Sequence, residues 1–320
     1  MLTDAVRFIR AHDDFVLISH VSPDGDTLGS ALALYQGLLF LGKKAQIVCA
    51  DAVPAIYRFL PCSNEVIPPE KAKKTEAVIA VDCADYDRTG AAGALILPVT
   101  ATLNIDHHDT NTNYLKANYV RHVAAAGELI YGLLLNLAVP VSKPIAACLY
   151  TALVTDTGNF AYSNTTPDTL RIAAELLEAG IDLPELNRLI FRTKPLQKVK
   201  LLGRAIDTAE IHADGRISIC ALSKKDFADC GAAGEDTEGV IDSLRDIDTV
   251  EIAALLREDE DGSIRVSLRG KRSADVSKIA SEFGGGGHRL AAGCTMHMPL
   301  SGAKDTILAA AKKLLAGENG

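Results

Sequence analysis

The sequence lacks an excess of basic residues. Its 320 residues include 33 Lys and Arg against 41 Asp and Glu, which gives a formal net charge of -8 at pH 7. A protein that coats nucleic acid nonspecifically needs a basic face, so this class is not expected. A polyanionic substrate would have to be bound locally, and residues 264–290 hold a basic cluster against only Asp275 and Glu282. Its members are Arg265, Arg269, Lys271, Arg272, Lys278 and Arg289.

Cysteine pairs, long apolar runs and a secretory leader are also missing. The seven cysteines form no C-x-x-C pair and are odd in number, so neither a zinc ribbon nor a disulfide framework is expected. No window approaches the roughly 18 uninterrupted apolar residues of a membrane span. The N-terminal residues carry an early acid and no cleavage signal. We therefore expect a cytoplasmic protein in a reducing compartment, with no membrane partner.

The chain is long enough for two domains, and its patterns predict an α/β fold. Hydrophobic residues make up 48% of the sequence, enough for a large core. Short apolar runs alternate with longer apolar helical patterns, as in parallel strands covered on both faces. Strands are predicted at residues 15–19, 45–49, 77–81 and 101–105, then at 217–222, 250–257 and 263–268; helices at 28–42, 127–138, 142–155 and 166–180. We predict a parallel-sheet domain at residues 1–186, a helical connector interrupted by Pro195 at residues 187–202, and a smaller α/β domain at residues 203–320.

Four clusters of acidic residues and histidines follow predicted strands or helices. Strands and helices whose ends converge at one crevice beyond a parallel sheet could bring six metal ligands together. Six ligands are enough for two divalent ions. Carboxylates mixed with two imidazoles suit Mn²⁺ or Mg²⁺ better than a structural zinc. The clusters are His20-Val-Ser-Pro-Asp24-Gly-Asp26, Asp82-Cys-Ala-Asp85, Asp106-His107-His108 and Asp156-Thr-Gly158.

Two of the clusters, taken alone, have a simpler explanation, whereas the position of Asp156 favours a bound cation. Asp26 could only cap the helix that follows it, and adjacent histidines in a loop are usually solvated. Asp156 lies at a helix C-terminus, where the helix dipole disfavours a carboxylate unless a cation compensates. Because four such clusters would rarely arise without a shared ligand, together they indicate a two-metal phosphoesterase.

These motifs resemble the DHH phosphoesterase family with its DHH-associated C-terminal domain. The resemblance covers nearly the full chain. The motif order is most similar to the branch of oligoribonucleases and pAp (adenosine 3′,5′-bisphosphate) phosphatases, the NrnA type. It rests on the D-H-H triplet, the H-x-x-x-D-G-D loop, Val81-Asp82, Thr155-Asp-Thr-Gly-Asn-Phe160 and Gly284-Gly-Gly-Gly-His-Arg-Leu-Ala-Ala-Gly293.

The resemblance implies a role for each candidate. His20 and Asp24 would hold one Mn²⁺, and Asp26, His107 and Asp156 would hold the other, with Mg²⁺ or Co²⁺ as substitutes. Asp82 would bridge the two ions and act in catalysis. His108 would face the phosphate and serve the leaving group or the transition state, while Asp106 would fix the tautomer of His107.

The same resemblance places substrate binding in the second domain, across a cleft from the metals. Ser267-Leu-Arg269 resembles the family's S-x-R element, so Arg269 would clamp a phosphate or stack on a base. A glycine run exposes backbone N–H groups to anions, and the tetraglycine turn would use Gly286 and Gly287 in this way, with His288 and Arg289 adding charge. The family's hydroxyl-bearing stretch is replaced by Ala124-Ala-Ala126, which leaves substrate specificity open.

The expected activity is hydrolysis of short oligoribonucleotides, pAp, or both. A cyclic-dinucleotide phosphodiesterase shares both domains and stays an alternative. The glycine-rich signature counts against a family II inorganic pyrophosphatase. A non-catalytic module that binds nucleotides or tRNA ends is disfavoured because all six candidate ligands are present. The sequence leaves the oligomeric state open, and a homodimer is compatible with it.

Overall fold

The computed structural model describes residues 1–97, 101–272 and 274–317. The chain divides into two compact units, Met1–Thr193 and Lys194–Gly320. The predicted α/β class is confirmed, with a parallel sheet in the first unit and a mixed sheet in the second.

The first unit contains a six-stranded sheet in which every neighbouring pair is parallel. Its strands are β1 (Asp14–Ser19), β2 (Lys44–Val48), β3 (Val66–Ile67), β4 (Ala77–Val81), β5 (Ala101–Asp106) and β6 (Ala117–Val120). They lie in the order β3-β2-β1-β4-β5-β6. The order reverses between β1 and β4, and a crevice forms beyond the carboxyl ends at such a switch point. The residues that follow β1 and β4 therefore flank the crevice.

Helices cover one face of this sheet. They are α1 (Leu2–Ala11), α2 (Gly25–Phe40), α3 (Ala126–Asn136), α4 (Lys143–Asp156), α5 (Pro167–Glu178) and α6 (Leu183–Asn187), followed by a π-helical turn at Arg188–Arg192. Phe15 and Leu17 of β1 face the helical core, whereas Val16 and Ile18 pack with Ala92 of the 3₁₀ segment Asp87–Leu95 on the opposite face. Because both faces are buried, the strands are apolar without alternation.

The second unit contains a six-stranded sheet in which only β8 and β9 are parallel. Its strands are β7 (Glu210–His212), β8 (Ile217–Leu222), β9 (Ile252–Glu258), β10 (Ile264–Gly270), β11 (Gly286–His288) and β12 (Ala291–Met296), in the order β11-β12-β10-β9-β8-β7. Its helices are α7 (Leu196–Thr208), α8 (Lys224–Cys230), α9 (Val240–Arg245), α10 (Ser277–Glu282) and α11 (Leu300–Gly317).

The segment predicted as a connector does not form a separate element. Residues 188–192 continue from α6, and α7 begins after Pro195, which interrupts the helical pattern as predicted. Residue 203, where the second domain was predicted to begin, lies inside α7. Leu201 and Ala205 of this helix are fully buried in a core with Cys220 of β8, so α7 packs as part of the second unit.

Candidate metal centre

His20 and Asp24 lie in the loop between β1 and α2. His20 is buried, and its Nε2 lies 3.6 Å from Asp24 Oδ1 and 3.5 Å from Asp82 Oδ2. Its Nδ1 lies 2.8 Å from the backbone oxygen of Val21. Because a carbonyl oxygen can only accept, Nδ1 carries the proton and Nε2 is left to face the carboxylates.

Asp24, rather than Asp26, is the residue that caps α2. Asp24 Oδ1 accepts hydrogen bonds from the backbone N–H groups of Asp26 and Thr27, both at 3.1 Å. The alternative in which Asp26 merely caps the helix is therefore wrong. Partial desolvation opposes ionisation of Asp24, but the neighbouring His20 and the two backbone donors set its pKa below the usual range.

Asp26 is buried and held by donors from two helices. Ser30 Oγ donates to Oδ1 at 2.9 Å, and the N–H groups of Ala126 and Gly127 donate at 2.6 and 3.0 Å. The amino end of α3 thus fixes a carboxylate 100 residues earlier in the chain. Burial and the neighbouring Asp82 and Asp156 raise the pKa of Asp26 well above its usual value. A cation bound nearby would favour the charged form of Asp26 and lower this pKa.

Asp82 directly follows β4 and lies at the middle of the cluster. Its φ of +60° is in the left-handed region, which a non-glycine residue seldom adopts. Oδ2 faces His20, whereas Oδ1 lies 3.4 Å from His107 Nε2. In the described part of the chain, the buried Oδ1 makes no hydrogen bond of ordinary geometry. Each oxygen of the carboxylate therefore faces one imidazole, and Oδ1 is left without a hydrogen bond.

His107 and Asp156 complete the second half of the cluster. His107 Nε2 lies 3.5 Å from Asp26 Oδ2 and 3.6 Å from Asp156 Oδ2. Burial raises the pKa of Asp156 to about 6, and the charge of Asp82 acts in the same direction. Asp156 ends α4, as predicted.

The predicted partner of Asp106 is wrong. Asp106 Oδ1 lies 2.8 Å from Nδ1 of His108, not of His107. His107 Nδ1 instead lies 3.0 Å from the backbone oxygen of Val123. Asn111 Nδ2 donates to the other oxygen of Asp106 at 2.5 Å. Asp106 therefore orients His108, and its hydrogen bond raises the pKa of that histidine despite partial burial.

The structure brings all six predicted ligands and His108 together. Three groups of ligand atoms lie within 4.8 Å of one another: His20, Asp24 and Asp82; Asp26, His107 and Asp156; and Asp82, His107 and His108. Three to four N and O ligands in each half, with no thiolate among them, fit hard divalent cations. The unsatisfied oxygen of Asp82 also fits, because a cation would supply its missing partner.

The predicted substrate residues of the second unit gather at one end of its sheet. Arg269 of β10 and His288 of β11 both stand opposite Ala291 of β12, on its two sides. Arg269 is half-buried, and its Nε lies 3.7 Å from Asp242 Oδ1. His288 and Arg289 are exposed.

The tetraglycine run is not one turn, which corrects the expectation. Gly286 and Gly287 belong to β11 and pair with Gly293 and Ala292. A Cβ on Gly287 would lie 2.5 Å from the Ala291 oxygen, and one on Gly285 would lie 2.2 Å from the Gly293 oxygen. These glycines allow close strand approach. Beside them lies a cavity of about 440 Å³, lined in part by Arg265, Ser267 and Gly285.

Sequence reasoning missed the groups that orient the ligands. The carbonyl of Val123 and the N–H groups of Ala126 and Gly127 carry no side-chain signal. Asn111 was detectable, because an amide three residues after the D-H-H triplet is a natural partner for its aspartate. Arg88, whose Nη2 lies 3.1 Å from His20 Nδ1, also went unnoticed.

Comparisons with known proteins show the family to which the chain belongs. The sequence matches the DHH family, N-terminal domain, over residues 14–153 and the DHHA1 domain over residues 221–317. It is 36% identical over 304 residues to the bifunctional oligoribonuclease and PAP phosphatase NrnA of Thermus thermophilus, covering 93% of this chain and 89% of that protein. The Bacillus subtilis protein of the same name is 28% identical over 305 residues, with 93% and 94% covered.

A solved structure shares the fold. It is that of an exopolyphosphatase-related protein from Bacteroides fragilis, with a TM-score of 0.91, 25% sequence identity, and 98% of this chain and 95% of that chain covered. The domain matches, the close relative and the buried cluster agree: the chain belongs to the DHH family of phosphoesterases, within the NrnA type, and is a hydrolytic enzyme.

Proposed function

We propose that the chain is a two-metal phosphoesterase that uses Mn²⁺ and hydrolyses short oligoribonucleotides, pAp, or both. The observation that carries this proposal is Asp82. Its two oxygens face two different imidazoles, 3.5 and 3.4 Å away, and one oxygen is buried without a donor. A carboxylate held in this way suits a position between two cations.

The donor set suggests how two ions would be held. His20 and Asp24 would serve one ion, while Asp26, His107 and Asp156 would serve the other, with Asp82 shared. When bound, two divalent ions would supply Lewis acidity for in-line attack of water on a phosphate ester. The imidazoles would bind them through Nε2, because backbone oxygens hold both Nδ1 protons.

In this proposal, His108 acts on the leaving group. Its side chain is 42% exposed, so it can reach a substrate, and Asp106 holds its Nδ1 at 2.8 Å. Because Asp106 raises the pKa of His108, the imidazolium persists closer to neutral pH. Its Nε2–H could then donate a proton to the departing oxygen.

The second unit would hold the nucleotide. Arg269, His288 and Arg289 offer hydrogen-bond donors at one end of the sheet, where phosphate groups can be bound, and Gly287 lets β11 lie close to β12. The relatives from Thermus thermophilus and Bacillus subtilis are named as enzymes for oligoribonucleotides and PAP, which supports the same substrates here.

One parallel rate comparison tests this proposal. With Mn²⁺, the account predicts turnover of pAp, of pApA and of a five-nucleotide RNA, above that of cyclic di-AMP and pyrophosphate. Preference for cyclic di-AMP would favour the cyclic-dinucleotide alternative. No turnover of any of the five would favour a binding module.

A further inference from the structure

Arg88 lies beside the cluster of candidate metal ligands, in the 3₁₀ segment Asp87–Leu95 that follows β4. Its Nη2 is 3.1 Å from His20 Nδ1, and its side chain is exposed. The backbone holds this position firmly: Val21 N–H donates to the Arg88 oxygen at 2.8 Å, and Arg88 N–H donates to Asp85 Oδ1 at 2.9 Å. The neighbouring Gly90 packs against Val21 so closely that a Cβ there would lie 2.3 Å from Val21 Cγ1.

The contact between Arg88 and His20 cannot be a hydrogen bond in the metal-binding tautomer. His20 Nδ1 lies 2.8 Å from the Val21 oxygen and carries the proton. A guanidinium group has donors only, so it finds no lone pair on that nitrogen. The contact therefore does not satisfy the Arg88 donors.

No carboxylate pairs with the Arg88 guanidinium either. Among the residues that the structure describes, none forms an ion pair with Arg88 within 4.0 Å, although the cluster beside it contains four aspartates. Those four charges would be balanced by two divalent ions. An incoming phosphate would then add negative charge to a nearly neutral site, so a further cation is needed to attract it.

We propose that Arg88 binds a non-bridging oxygen of the substrate phosphate on the His20 side of the centre. The proposal rests on the phosphoesterase function proposed above. Asp82 separates the two cationic side chains: its Oδ2 faces His20, which contacts Arg88, whereas its Oδ1 lies 3.6 Å from His108. His20 therefore lies between Arg88 and Asp82, with Nδ1 facing the guanidinium and Nε2 facing the carboxylate, while His108 lies beside the other oxygen of Asp82. A phosphate bound at the centre would have Arg88 on the His20 side and His108 on the other. The planar fork of an arginine suits this contact better than a lysine does.

The test combines binding and turnover. In the full-length protein loaded with Mn²⁺, Arg88→Ala should weaken binding of inorganic phosphate, measured by titration calorimetry, by about ten- to hundredfold, and lower kcat/KM for pAp by a similar factor. Arg88→Lys should lose less. Arg10→Ala is the control, since it removes one exposed arginine on α1, away from the cluster, and should change neither quantity.

Metal content and thermal melting separate this role from others. The account predicts wild-type Mn²⁺ content and Tm in both Arg88 variants. Unchanged phosphate affinity in Arg88→Ala would overturn the proposal, and so would loss of Mn²⁺, which would mean that Arg88 only supports His20. If the wild type binds phosphate through Arg88 but turns over neither pAp nor pApA, the proposed function fails while this anion site stands.

Discussion

At the scale of single residues, the types of the ligands were accessible from the sequence, but their partners were not. An aspartate or histidine directly after a buried strand predicts a ligand at the sheet edge, and His20 and Asp82 lie there. The misassigned partner of Asp106 shows the limit. Two adjacent histidines point in different directions, and the carbonyl that orients His107 belongs to Val123, 16 residues away. Only the folded chain brings that oxygen into place.

The protonation of the histidines leads to a prediction about metal binding. Burial alone would lower the pKa of His20, but Asp24 and Asp82 outweigh it and raise the pKa to about 10 without metal. His107 is raised in the same direction by Asp82 and Asp26, again against burial. Both imidazoles are therefore protonated at neutral pH and must release a proton to bind a cation. The apparent Mn²⁺ affinity should rise with pH between about 6 and 9.

Calorimetry in buffers of different ionisation enthalpy checks this. At pH 7 we expect release of about two protons or more as the centre fills, one from each histidine and a further contribution from Asp26, whose pKa is also raised. An apparent affinity that is independent of pH, with no proton release, would contradict the raised pKa values.

At the scale of elements, long buried elements were predictable and short ones were not. The strand at residues 77–81 was predicted with the bounds observed for β4, because five consecutive buried apolar residues leave no ambiguity. β3 has two residues and β11 three, too few to show any period. The run from Gly284 to Gly287 was predicted as a turn, because sequence alone does not reveal that a glycine serves close strand pairing.

Glycines in two helices allow a matched test of packing. A Cβ on Gly29 of α2 would lie 2.4 Å from the backbone oxygen of Cys148 in α4, whereas a Cβ on Gly132 of α3 would meet nothing within 4 Å. Gly29→Ala should therefore lower the free energy of unfolding by about 1–3 kcal/mol through overpacking. Gly132→Ala should raise it by about 0.5–1 kcal/mol, since alanine favours a helix.

Urea unfolding of both variants measures these changes. The opposite signs are the critical result, because each substitution adds the same methyl group within a helix. A Gly29→Ala protein as stable as the wild type would mean that α2 and α4 can move apart at little cost.

At the scale of the whole molecule, the α/β class and the presence of two units followed from the change of pattern along the chain. The boundary between the two units was harder to predict, because the amphipathic sequence of α7 resembles that of a linker helix. Leu201 and Ala205 of α7 are buried in the core of the second unit. The family resemblance supplied the ligand roles, which composition and periodicity alone could not assign.

The proposed division of labour between units predicts a split in substrate effects. If the second unit binds the nucleotide, Arg269→Ala or His288→Ala should lower kcat/KM for pAp by about ten- to hundredfold. The loss would come from removal of a charge-assisted contact. Hydrolysis of bis-p-nitrophenyl phosphate and Mn²⁺ content should be unchanged, because all six proposed metal ligands lie in the first unit. Lys312→Ala on α11 is the exposed-cation control. Equal losses on both substrates would mean that these residues build the catalytic centre itself.

Mn²⁺ stoichiometry tests whether two metal ions share Asp82. Metal-free protein titrated with Mn²⁺ should bind two ions per chain, with turnover of pAp appearing only as the second site fills. Asp82→Asn should lose both turnover and tight binding at more than one site, whereas Asp109→Asn, an exposed carboxylate paired with His122 at 2.8 Å, should match the wild type. One ion per chain at full activity, or two tightly bound ions in Asp82→Asn, would contradict the account.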